Sequence, residues 1–144
     1  MAARLARDHA VKAVVDLREE ASDDAEELKA CGLTFLYLPT TDEQAVSAAM
    51  LDEAVTFAQA HLKRGERVLI HCEHGIGRSA TLALCVLTAE GMEPLAALAL
   101  AKDRRAKVSP SPEQYECWAA WLRERGVEPP AFDAFAVVAY RHLR

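Results

Sequence analysis

Residues 67–79 read RVLIHCEHGIGRS, from Arg67 to Ser79. Arg67 to His71 is a short branched apolar run, which predicts a buried strand. From Gly77 to Ala89 the chain (GRSATLALCVLTA) is apolar almost all round, the pattern of a helix packed on every side. The loop between them leaves a strand and enters a helix, so it presents backbone N–H groups at a helix N-terminus, where anions bind. Gly75 and Gly77 allow the turns and close approach that such a cradle needs.

Cys72 stands at the base of that cradle. Amide dipoles and a nearby guanidinium both favour thiolate over thiol, so its pKa is expected below that of a free cysteine. Arg78 returns to the same loop six positions later. Its planar fork can grip two phosphate oxygens, which a lysine could not copy. Ser79 follows and can donate a hydrogen bond to the sulfur.

Outward from this segment, Lys12 to Leu17 (KAVVDL) and Thr34 to Leu38 (TFLYL) read as two further strands. Helical periodicity runs from Ser22 to Ala30 and from Glu43 to Lys63, with Val46, Met50, Phe57 and Leu62 as inward candidates. Pro94 to Arg105 begins with proline in its first turn. Ser111, Pro112 and Gln114 form a capping box ahead of a helix that carries Trp118, Trp121 and Leu122. Ala131 to Leu143 reads as a final short helix. Strands alternating with helices predict an α/β fold: a single domain with a central, mostly parallel sheet flanked by helices. In such sheets ligands bind beyond the carboxyl ends of the strands, which is where the loop lies.

The composition agrees with one folded domain. Of 144 residues, 51% are hydrophobic and 27% charged, enough apolar side chain for a real core. A formal net charge of −5 supplies no overall positive field for nucleic acid or an anionic membrane, and neither is expected as a partner. No segment approaches the roughly 18 uninterrupted apolar residues of a membrane span. The start, MAARLARDHA, lacks the apolar stretch of a secretory signal. Cys31, Cys72, Cys85 and Cys117 are scattered without CxxC pairing, which suits reduced thiols and a cytoplasmic setting. His71, Cys72 and His74 could be read as metal ligands, but neighbouring strand residues point to opposite sides and no second ligand cluster is present. No metal or cofactor is expected.

HCEHGIGRS resembles the HCxxGxxRS signature of the protein tyrosine phosphatase superfamily, and the short chain resembles its dual-specificity branch. The resemblance runs from about Val14 to Leu122 and includes VVDL, FLYLPTTD and SPSPEQ. It implies a protein tyrosine phosphatase-like fold in residues 1–126. Residues 127–144 lie beyond the common core and are expected to be a helical extension packed on the same domain. There is little room for the branch's N-terminal hairpin, because the first strand already lies near residue 12.

The resemblance also implies roles. Cys72 is the expected nucleophile of a phosphocysteine mechanism, with Arg78 and the loop Glu73, His74, Gly75, Ile76 and Gly77 binding the phosphate. Ser79 assists the sulfur; His71, in place of the metal reading, is expected to hydrogen-bond the loop. The family places an aspartic acid after the second strand, about thirty residues before the cysteine, a position that Asp42 holds. Asp42 would protonate the leaving oxygen and then activate water, with Glu43 its nearest rival. The competing reading makes Asp42 a first-turn acid, because Thr41 and Gln44 spell a capping box. The expected substrate is a phosphorylated protein or peptide carrying phosphotyrosine, phosphoserine or phosphothreonine. Glu73 opposes polyanionic head groups. Two rival classes stay open: another thiol enzyme built on the CX5R loop, such as an arsenate reductase or sulfurtransferase, and a catalytically silent phosphate-binding module.

Overall fold

Three parallel strands make one sheet in the computed structural model, which describes residues 1–143. They are β1 (Val11–Arg18), β2 (Thr34–Thr40) and β3 (Arg67–His71), in the order β2-β1-β3. The middle strand explains its own composition. Ala13, Val14, Val15, Asp16 and Leu17 are all fully buried, as expected of a parallel strand covered on both faces. Pro39, which cannot donate to a ladder, lies on the edge strand β2.

Helices cover the two faces unequally. On one side α1 (Ala2–Asp8) and α2 (Ala25–Ala30) bury a small cluster of Ala2, Val11, Val14, Leu28 and Leu33. Val11 and Val14 share this face despite their odd spacing, because the β1–β3 register shifts between Val11 and Ala13. The main core lies on the other side. It is built from Val15 and Leu17 with α3 (Ala48–Lys63), α4 (Arg78–Ala89), α5 (Pro94–Arg104), α6 (Pro112–Glu124) and α7 (Phe132–Ala139). A 3-10 turn, Arg141–Leu143, follows α7. Residue 144, the last of the expected extension, lies outside the described residues.

Several expectations need correction. α2 begins at Ala25 rather than Ser22, capped by Asp24, whose carboxylate accepts from the amides of Glu26 and Glu27. α3 begins at Ala48 under a Ser47 cap, so the Thr41/Gln44 box does not start a helix. Those residues form a turn, with the Gln44 amide bonded to the Thr41 carbonyl and Glu43 at φ +64°. The buried stripe of α3 is Leu51, Ala54, Val55 and Ala58, while Leu62 is exposed. α1 was not foreseen; it occupies the chain ahead of β1.

Candidate active site

The carboxyl ends of all three strands converge on one place. β3 ends at His71 and releases the loop Cys72–Gly77, which enters α4 with Gly77 as its N-cap. Gly75 takes φ +67°, which an L side chain rarely adopts. A Cβ at Gly77 would meet the Gln114 side-chain oxygen at 2.5 Å, so the loop and α6 fit only because that side chain is absent. Arg105 supports the loop from outside by donating to the His74 carbonyl at 2.6 Å.

Cys72 is buried at the floor of an open cavity of about 460 Å³. The Gly75 amide donates to its sulfur at 3.3 Å, and the Ser79 hydroxyl lies 3.3 Å from it, placed to donate once the sulfur is ionised. Burial pushes the thiol up. The hydrogen bond with Ser79, the amides of Ser79 and Gly75, and the Arg78 charge outweigh it and hold Cys72 below the ordinary thiol value. Cys85 and Cys117 are shifted the other way, chiefly by burial, as inert core thiols should be.

Arg78 is almost wholly buried, and three of its five N–H donors are taken. Nη1 and Nη2 bind the two carboxylate oxygens of Glu20 at 2.7 and 2.8 Å, and Nη1 also donates to the Thr40 carbonyl at 2.9 Å. The free donors are Nε–H, buried with no partner, and one hydrogen of Nη2. These lie along one edge of the plane. The terminal pair holds Glu20, so the donors left for two anion oxygens are those of the side edge. The hydrogen bond from Arg78 draws the Glu20 carboxyl down to about 2.

Asp42 lies at that edge, with Oδ1 3.6 Å from Arg78 Nε, and it lines the cavity with Glu43. With no helix starting at Thr41, the first-turn explanation of Asp42 falls away. α6 tethers the Asp42 turn: the Ser111 hydroxyl donates to the Glu43 carbonyl at 2.8 Å, and Gln114 donates to the Gln44 carbonyl at 3.2 Å.

Other loop assignments change. His74, Ile76 and Gly77 line the cavity, but Glu73 does not; its carboxylate turns to Arg18 at 3.8 Å. Gly75 contributes through its amide on the sulfur rather than through the cavity wall. His71 does not bond the loop. Its Nε2 meets Asp23 at 2.6 Å, within a network where Arg18 pairs with both Asp16 and Asp23. Burial alone would raise the Asp16 carboxyl, but hydrogen bonds from the Arg18 side chain and the amides of Arg18 and Asp23 keep it low. Asp16, Asp23 and His71 are close enough to hold a metal ion, but a cation there would have to displace Arg18.

Sequence reading missed Glu20. The signal was present: Glu19 and Glu20 directly follow β1, at the carboxyl edge where sites form.

Comparisons with known proteins agree with this geometry. A family model described as polymorphic toxin system, DSP-PTPase phosphatase, matches residues 2–92. Dual specificity protein phosphatase 2 of Mus musculus is 34% identical over 110 residues, 62% of this chain, and the chain spans only 35% of that protein. A structure of PTPMT1 in complex with PI(5)P superposes with a TM-score of 0.77 at 29% identity, over 86% of this chain and 84% of that one. Tk-PTP in its active form gives 0.73 at 31% identity, over 85% and 82%.

Proposed function

The chain belongs to the dual-specificity phosphatase type of the protein tyrosine phosphatase superfamily, and from that footing we propose that it hydrolyses phosphomonoesters of protein side chains. Phosphotyrosine, phosphoserine and phosphothreonine are the substrates in view. One observation carries the reading: a sulfur held toward its ionised form shares a site with the unoccupied Nε/Nη2 edge of a buried arginine, and the Asp42 carboxylate lies 3.6 Å from Nε.

The chemistry follows in two steps. The phosphoryl group sits over Cys72 with two oxygens on the free edge of Arg78, whose charge offsets that of the dianion. The Cys72 thiolate attacks phosphorus, the bond from phosphorus to the side-chain oxygen breaks, and Asp42 gives that oxygen its proton. Asp42, now a carboxylate, takes a proton from water as the water attacks the phosphocysteine. Inorganic phosphate leaves and the thiolate returns. Ser79 steadies the sulfur by hydrogen bonding in both directions of charge flow. With four unpaired cysteines, such an enzyme suits a reducing, cytoplasm-like compartment.

The PTPMT1 likeness raises phospholipid phosphomonoesters as a second substrate class. The net charge of −5 disfavours an anionic lipid surface. The test is phosphate release from a phosphopeptide panel and from vesicles carrying PI(5)P, with Cys72→Ser as control. Release from vesicles alone overturns the protein-substrate reading. No release from any ester favours a silent phosphate-binding module, and sulfur transfer from thiosulfate would favour a sulfurtransferase.

A further inference from the structure

The cavity over Cys72 is not built from residues 1–126 alone. Tyr140 and Leu143, from the segment beyond the resemblance, line it together with Ile76 of the phosphate loop. Tyr140 is held there from several directions. Its hydroxyl donates to the Pro110 carbonyl at 2.6 Å, and the neighbouring Ser109 amide donates to the Ile76 carbonyl at 2.9 Å. Its ring stands edge-on to Phe135, with centroids 5.9 Å apart, and Phe135 is fully buried against Tyr115 and Trp118. The buried Lys102 ammonium completes the attachment by donating to the Ala106 and Val108 carbonyls and to His142 Nδ1 at 2.7 Å. A tyrosine fixed in this way offers a rigid aromatic surface on the wall of the cavity that holds Cys72.

We propose that Tyr140 is a specificity-determining residue, an aromatic wall that receives the phenyl ring of phosphotyrosine in preference to the shorter alkyl stems of phosphoserine and phosphothreonine. The inference rests on the phosphatase reading above and names the substrate class within it. A phosphotyrosine ring entering toward Cys72 stacks on Tyr140 and packs on Ile76, while a phosphothreonine brings no ring for either surface. Aromatic pairing together with the apolar area it buries is worth about tenfold in affinity.

The test uses Cys72→Ser protein, which binds without turnover, and one peptide prepared with phosphotyrosine or with phosphothreonine at the same position. Calorimetry should give tighter binding of the phosphotyrosine form. Tyr140→Ala should weaken that form about tenfold, collapsing the ratio between the two peptides, while Tyr140→Phe, which keeps the ring, should preserve most of the ratio. If Tyr140→Ala lowers the melting temperature too far, Tyr140→Leu reads the same ratio with more volume retained. Equal losses for both peptides, an unchanged ratio, or no binding of either peptide would each overturn the proposal. Phosphate release by the wild-type chain is scored separately, so a protein that binds with this preference but does not hydrolyse sinks the phosphatase reading and not the wall.

Discussion

Glu20 and Arg78, 58 residues apart in the chain, meet in a two-point ion pair at 2.7 and 2.8 Å. The carboxylate fixes the guanidinium plane, and Nε–H on its other edge is left without a hydrogen-bond partner. Glu20→Gln keeps the size but surrenders one charge-assisted contact, and the plane is then free to tilt. A loss of roughly 10-fold to 100-fold in kcat/KM on p-nitrophenyl phosphate is expected, most of it restored by Glu20→Asp only if a shorter acid still reaches. Wild-type activity in Glu20→Gln would show that the arginine needs no such brace.

The Cys72 thiol is held below its ordinary value, so the thiolate should persist at lower pH than in a free cysteine. Alkylation by iodoacetamide, followed against pH, should reach its midpoint below the ~8.5 of a free cysteine. Ser79→Ala removes a hydrogen bond that favours the ionised sulfur and should move the midpoint upward. A midpoint at or above the free-thiol value would contradict the electrostatic account.

Asp42→Asn should lower kcat by roughly 100-fold with KM little changed, since proton delivery is lost and the pocket is not. Ser111→Ala acts at one remove: it cuts the 2.8 Å bond to the Glu43 carbonyl and lets the Asp42 turn wander. A fall of about tenfold in kcat is expected, with a shifted pH profile. Stopped-flow measurement of p-nitrophenolate release separates these effects from any change in binding.

Phe135 is fully buried among Tyr115, Trp118 and Tyr140. Phe135→Ala should cost about 3–5 kcal/mol of stability, read from the denaturant midpoint of unfolding. A cost below about 1 kcal/mol would mean that α7 is only loosely applied to the core.

β3 was readable residue for residue because an apolar run there stops against a loop of glycines and charges. The Ser111 and Gln114 box was readable for a similar reason, since capping chemistry is local. The start of α3 was not. Thr41 and Gln44 have the spacing of a cap, and only the positive φ of Glu43 and the Ser47 side chain reveal that the chain turns first. The alanine-rich α3 also left its phase open, so Leu62 was assigned inward when Leu51, Ala54, Val55 and Ala58 form the buried stripe. At the site, Cys72, Arg78 and Ser79 are contiguous in the chain and could be read together. Glu20 reaches Arg78 across 58 residues and Tyr140 reaches the cavity of Cys72 across 68, both through tertiary packing, and no local pattern records that.

Leu143 borders the opening above the nucleophile. A bulky or charged side chain in place of Leu143 would therefore crowd the cavity of Cys72 from a position 71 residues further along the chain.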